Sequence, residues 1–274
     1  MSANNILAID AGNTRIKWGL FNTSGIMVEQ GACLHAELAM MTFPDASQVV
    51  ISNVAGDAIQ IQLKTLLANN AAIHCVSAQP KACGVSNHYR QPETLGCDRW
   101  AALIAAWHIK QATCVVVNAG TAVTIDALSV SLQGDDKHSQ KQADFIGGLI
   151  LPGLDLMQQS LGIATAQLPK EPLKSHSIPE KYPVEIFAAN TVDAIYAGAL
   201  HAISGAIYLM LRQLGQQSKH TPYILLSGGN ASIIYNQMVK ENLIDDMATQ
   251  AVIVDNLVLQ GLFLIGNSMQ SESQ

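Results

Sequence analysis

The 274-residue chain is expected to fold as an α/β protein with two similar halves. Three observations carry that expectation. Short apolar runs alternate with helical stretches, which points to sheets covered by helices. A strand, a Gly/Thr turn and a second strand open at residue 5 and again at residue 114. The two turns correspond, DAGNT at 10–14 against NAGTA at 118–122. The division falls near residue 112, giving halves 1–112 and 113–274.

Residues 5–10 are a short apolar run, as in a buried strand. In RIKWGLF (15–21) the alternation puts Ile16, Trp18 and Leu20 on one face. The tight linker between these runs predicts a β-hairpin, and IMVEQG (26–31) reads as a third strand. VVISNVA (49–55), a helical stretch near 57–69 and AIHCVSA (72–78) follow in strand–helix–strand order. CDRWAALIAAWHI (97–109) is helical: Trp100, Leu103, Ile104 and Trp107 recur at i, i+3, i+4, i+7, a stripe for core or dimer packing. Strands are expected at 114–118 and 122–130, with polar residues 131–142 as an exposed hairpin tip. A long helix over 188–214 carries small residues (Ala197, Gly198, Ala199, Ala202, Gly205, Ala206) suited to close helix packing. YILLSGGN (223–230) reads as a strand and a Gly-rich turn. VIVDN (252–256) is a last strand before a C-terminal helix.

Composition narrows the function. Apolar residues make up 49% and charged residues 13%, enough for a large core and unlike a disordered chain. The net charge of −6 argues against a general nucleic-acid binder. Phosphate ligands stay open, because backbone N–H groups hold phosphate without net positive charge. No apolar run approaches the roughly 18 residues of a membrane span, and MSANN lacks the basic start of a secretory signal. Cys33, Cys75, Cys83, Cys97 and Cys114 form no CxxC pair, so a reduced, cytoplasmic protein is expected. The eight histidines show no HxxxH or HExxH spacing, and no zinc site is expected.

A Gly/Thr turn between two strands can point several backbone N–H groups at one spot, with Asn13 and Thr14 adding side-chain donors. Asp10 would repel phosphate directly; a hydrated Mg²⁺ between them resolves the conflict. Gly120-Thr121 could face the first turn across a cleft, and SGG (227–229) adds a third Gly-rich turn. Ordinary hairpin turns account for either stretch alone; the three together favour a nucleotide site.

DAGNTRIKWGLF (10–21) resembles the first phosphate motif of the superfamily that holds acetate kinase, sugar kinases, actin and heat-shock chaperones. Within it the chain resembles the type III pantothenate kinases. GCDRW (96–100), NAGTAVTID (118–126), GGLILPG (147–153), TAQLP (165–169), NT (190–191) and SGG (227–229) occur in that family's order. The resemblance implies two duplicated ribonuclease-H-like (actin-like ATPase) domains with mixed sheets and a nucleotide cleft between them. It implies phosphorylation of pantothenate by ATP, the first committed step to coenzyme A. ATP would lie on Asp10, Ala11, Gly12, Asn13, Thr14, Arg15, Ile16, Lys17 and Thr121. Pantothenate would lie on Tyr89, Gly96, Cys97, Asp98, Arg99 and Thr191, with Asp98 as the base. Asp10 would hold Mg²⁺ through water.

A monovalent cation, K⁺ or NH₄⁺, is implied at the position of Asn118, where the family commonly has aspartate; asparagine keeps a carbonyl ligand and loses the charge. A cytoplasmic homodimer is implied, without nucleic acid or membrane partners. Taken alone, Asp98 could be a helix N-cap, Arg99 a surface ion-pair member, Tyr89 an exposed loop residue and Thr191 the cap of the long helix. His88 and His108 read as loop and helix-surface residues. Two other functions remain open to the sequence. One is a different small-molecule kinase of the superfamily, with GCDRW holding a polyol. The other is a non-enzymatic accessory factor for transcription.

Overall fold

The computed structural model describes residues 5–68, 72–133, 140–164, 184–218, 220–244 and 251–272. The chain divides into two compact units. One is Met1–Gln111 with Ser131–Phe145 and Asn256–Gln274; the other is Ala112–Val130 with Ile146–Asp255.

The first unit is built on strands β1 (Ile6–Ala11), β2 (Arg15–Phe21), β3 (Met27–Leu34), β4 (Gln48–Asn53) and β5 (Ile73–Cys75), in the order β3-β2-β1-β4-β5. β1 and β2 are the expected antiparallel hairpin, with Asp10 opposite Lys17. β4 runs parallel to β1 and sets Ser52 beside Asp10. Both faces of β1 are covered, so its sequence is continuously apolar rather than alternating. On one face Leu7, Ile9, Ile16 and Ile51 pack with Leu63 of α1 (Asp57–Leu66) and with Leu38 of a 3-10 helix, His35–Met40. On the other face lie α2 (Cys97–Lys110) and α6 (Leu257–Glu272). Trp100 and Trp107 are buried, so the aromatic stripe of α2 is core. A short hairpin, β6 (Lys81–Ala82) and β7 (Val85–Asn87), pairs with residues 143–145.

The second unit repeats the plan. Its strands are β8 (Cys114–Ala119), β9 (Ala122–Gln133, in this unit to Val130), β10 (Gln140–Pro152, in this unit from Ile146), β11 (Tyr223–Ser227) and β12 (Ala251–Ile253), ordered β12-β11-β8-β9-β10. β8 and β9 form an antiparallel hairpin, β11 runs parallel to β8, and β12 runs parallel to β11. In both units the third strand lies beside the hairpin's second strand, and two later strands extend parallel from its first. The helices are α3 (Leu154–Ala164), α4 (Thr191–Ser218) and α5 (Ala231–Lys240).

Several local expectations change. GGLILPG lies within β10 except for Gly153, and α3 begins just after it. The helix α4 is capped by Asn190, not Thr191: Asn190 Oδ1 accepts the Asp193 N–H at 2.9 Å, and its Nδ2 donates to Asp193 Oδ2 at 2.6 Å. The asparagine amide offers both donor and acceptor to the helix start, and the Thr191 hydroxyl, one residue on, is not needed. By length and composition α4 could cross a membrane, with mean hydropathy 1.6 over its best window, although no such run was expected. Its polar residues, His201 and Ser204 among them, interrupt the apolar run without lowering the average much. Tyr196, Leu200, Ile203 and Ile207 pack against Val117, Ile125 and Leu226, which makes α4 a core helix. TAQLP and residues 134–139 of the expected hairpin tip lie outside the described residues, while 131–133 and 140–142 of that stretch belong to β9 and β10 and not to the tip.

The C-terminal helix packs within the first unit although it is last in sequence. A Cβ on Gly261 of α6 would overlap the Ala101 carbonyl of α2, so the two backbones touch there. Gly261→Ala is expected to cost about 3 kcal/mol, the upper end for overpacking, read as a lowered midpoint in chemical denaturation. An unchanged midpoint would mean that α6 does not seat on α2 this closely.

Candidate active site

In the first unit, chemistry-bearing residues gather where β1 and β4 end and α2 begins. Beyond Ala11 the chain turns through Gly12, Asn13 and Thr14, closed by the Gly12 N–H donating to the Arg15 carbonyl at 3.1 Å. A Cβ on Gly12 would press to 3.3 Å from that carbonyl, so glycine keeps the turn tight. Ala11 and Ile16 are buried and anchor the turn, while Asn13, Thr14, Arg15 and Lys17 are exposed.

Asp10 is the anomaly. Its Oδ1 is buried without a hydrogen-bond partner. Its pKa is pushed from 3.8 up to about 7, first by burial and then by the Asp98 carboxylate; Lys17 and a hydrogen bond from Ser52 oppose the rise. Ser52 is fully buried, and its hydroxyl also lies 3.3 Å from Cys97 Sγ. The Cys97 thiol is 3.5 Å from the Asn53 carbonyl. Burial pushes its pKa up, which favours the neutral thiol.

Gly96, not Asp98, is the N-cap of α2, and its carbonyl accepts the Trp100 N–H at 3.0 Å. The Asp98 carboxylate folds back over it: Oδ1 accepts the Arg99 N–H at 2.8 Å and would sit 2.6 Å from a Cβ on Gly96. Arg99 is only 6% exposed, so it is no surface ion-pair member. Its Nη1 donates to the Tyr89 hydroxyl at 2.9 Å. Its guanidinium stands 5.6 Å from the Tyr89 ring centre and 5.9 Å from that of Phe145. Tyr89 is therefore half-buried and engaged. His88, expected as a plain loop residue, is 3.0 Å from Asp144.

In the second unit three Gly-containing segments converge on the end of β8. Asn118 is half-buried, opposite Thr124 and Ser227 in the sheet. The exposed Thr121 follows; its carbonyl accepts the Gly153 N–H at 2.8 Å, and a Cβ on Gly153 would come within 2.6 Å of that oxygen. Gly228 takes φ +98°, pressed against Ala119, and the Asn230 N–H donates to the Ala119 carbonyl at 3.1 Å. Asn230 Oδ1 is buried without a partner. Thr191 is exposed at the start of α4.

Sequence reasoning missed Ser52, Phe145 and Asn230. The signal for Ser52 was one polar residue inside an apolar strand. Among the described residues no cluster of three or more His, Cys, Asp or Glu could cage a metal. The orphaned Asp10 oxygen, with a second carboxylate near it, fits a Mg²⁺ that takes one protein carboxylate, waters and phosphate oxygens.

One sheet plan repeated in two units, with Gly/Thr turns at strand ends, is the architecture of the actin-like ATPases and sugar kinases. Solved structures share it. A protein from Campylobacter jejuni described as a candidate Baf family transcriptional activator matches with TM-score 0.60 at 18% identity, over 98% of this chain and 100% of that one. A candidate N-acetylmannosamine kinase from Listeria monocytogenes matches with TM-score 0.53 at 15% identity, over 98% and 99%. The sequence is more specific. A family profile described as type III pantothenate kinase matches residues 6–213. Type III pantothenate kinases from Nitrosospira multiformis and Aromatoleum aromaticum are each 40% identical, over 95% of this chain and 90% and 97% of theirs. The one from Nitrosomonas eutropha is 37% identical over 96% and 95%. The chain belongs to the type III pantothenate kinase family.

The raised Asp10 pKa fixes a sign. The folded protein holds this proton more tightly than the unfolded chain, so its contribution to stability is full below about pH 4 and is lost as pH rises through about 7. Without divalent metal, Asp10→Asn should raise the denaturation midpoint at pH 8, with the gain shrinking steadily towards pH 4. A gain independent of pH would mean that Asp10 does not titrate in this range.

Proposed function

We propose that the reaction of this family, phosphoryl transfer from ATP to pantothenate at the entry to coenzyme A synthesis, is carried in this chain by Asp10 and Asp98. The observation that carries the proposal is the proximity of these carboxylates, one with a buried oxygen that has no hydrogen-bond partner, the other at a helix start beside a buried arginine.

Phosphoryl transfer needs positioning and charge neutralisation more than covalent help from the protein. Asp98 receives the proton of the pantothenate primary hydroxyl as that oxygen bonds to the γ-phosphorus and the bond to ADP breaks. The turn from Asp10 to Lys17 holds the phosphates through its amides and the Lys17 and Arg15 cations, with Thr121 as a further ATP contact. A divalent cation at Asp10 supplies charge neutralisation for the phosphates. Arg99 pairs with the pantothenate carboxylate in its planar fork, oriented by Tyr89. Gly96 and Cys97 line the acceptor side through backbone, and Thr191 adds a hydroxyl. Asn118 offers a carbonyl oxygen to a monovalent cation, K⁺ or NH₄⁺.

A homodimer belongs to this reading. It is supported by apolar side chains left exposed in the second unit, among them Ile150 at 65%, Ile163 at 86% and Phe187 at 91%. A reducing, cytoplasmic setting accords with cysteines that form no disulfide with one another.

Asp98→Asn should leave the fold intact and lower kcat by roughly 10²–10⁴, the worth of a positioned acid–base group. The assay is pantothenate-dependent ADP release with Mg²⁺, run in K⁺ and then in Na⁺. Full turnover by the variant would remove Asp98 from the base role. Equal rates of the unaltered protein in the two salts would remove the cation from Asn118.

A further inference from the structure

The segment after β3 returns to the first turn through one side chain. His35 Nε2 lies 2.8 Å from the carbonyl oxygen of Gly12. A carbonyl only accepts, so this ring nitrogen carries a proton and donates it. The ring comes from a well-anchored element. The Glu37 carboxylate accepts the Leu34 N–H at 2.8 Å just before the 3-10 helix, and Leu38 is fully buried in the core of the first unit. His35 itself is half-buried.

The geometry of a trans peptide gives this bond a consequence. No peptide in the described chain is cis. In a trans peptide the carbonyl of one residue and the N–H of the next point in opposite directions. Holding the Gly12 carbonyl towards His35 therefore aims the Asn13 N–H away from it. A glycine is tolerant of both backbone hands, so this peptide is the one in the turn most able to flip. A flip would replace a donor with a carbonyl lone pair, which repels phosphate oxygens.

We propose that His35 is a positioning residue for the nucleotide: by holding the Gly12 carbonyl it keeps the Asn13 amide turned to the phosphates of ATP. This rests on reading Asp10–Lys17 as the phosphate turn. The role is separate from proton transfer and from pantothenate binding, so its loss should fall on ATP alone.

The test compares the unaltered protein with His35→Ala, His35→Phe and His35→Gln. His35→Phe keeps a ring in the packing without the donor; His35→Gln keeps an N–H donor at similar reach. Initial rates of ADP release are measured against ATP and against pantothenate, and ADP binding is measured by calorimetry. His35→Ala and His35→Phe are expected to raise KM for ATP and Kd for ADP about tenfold, the scale of one charge-assisted hydrogen bond. KM for pantothenate should stay within about twofold, the range left to indirect effects. His35→Gln should recover most of the nucleotide affinity. The proposal is overturned if nucleotide affinity is unchanged in His35→Phe. It is also overturned if both KM values rise together with a lowered thermal midpoint, which is general loosening. If the unaltered protein binds no ADP and releases none from ATP, the phosphate-turn reading itself falls, whatever the variants do.

Discussion

Two carboxylates that repel each other are held close in the first unit, and much of that unit exists to hold them. Burial and the neighbouring Asp98 both make ionised Asp10 costly. Such a group persists only where the surrounding packing leaves it no escape. β1 supplies that constraint, with Leu7 and Ile9 fully buried on one face and Ile6 and Ala8 on the other. β4 fixes the strand's register and brings Ser52 beside Asp10. Ser52 then reaches Cys97, which ties the start of α2 to the same sheet end. The close seat of α6 on α2 holds that helix from behind. A cation bound there would relieve the repulsion and couple ligand binding to stability through one side chain.

The second unit shows what the same plan looks like without the charge. Asp10 stands opposite Lys17 and Ser52; Asn118 stands at the matching place, opposite Thr124 and Ser227. The serine is retained in the parallel neighbour strand, while the aspartate has become an amide. An amide can be half-buried at little cost once it is hydrogen-bonded, so Asn118 itself adds no charge to this strand end. Here the backbones pack closely, with Gly153 against Gly120 and Thr121 and Gly228 against Ala119. The first unit keeps the charge and the second keeps the close-packed amides and carbonyls.

What could be read from the sequence follows from the range of the interactions. The hairpins at Asp10 and Asn118 and the α2 stripe are local patterns, and they stand where periodicity put them. β10 was hidden because Gly147 and Gly148 break its alternation, although backbone pairing carries the strand through them. The cap of α4 was misplaced by one residue, a choice between Asn190 and Thr191 that only side-chain geometry settles. Ser52, Phe145 and His35 act across separations of 45, 56 and 23 residues from Cys97, Tyr89 and Gly12. No window along the chain shows those partners. The place of α6 depends in the same way on a return of the chain that sequence order conceals.

The surroundings of Arg99 argue for the class of acceptor. A guanidinium 6% exposed has lost most of its hydration. The Tyr89 hydroxyl and two aromatic faces offset part of that loss. A polyol would bring hydroxyl groups to this cation but no charge. A substrate with a carboxylate would add a planar, two-point pair, and the low exposure of the guanidinium would strengthen it. The aromatic enclosure of Arg99 therefore fits an acidic acceptor better than a neutral one: it fixes the plane of the fork that a carboxylate would meet.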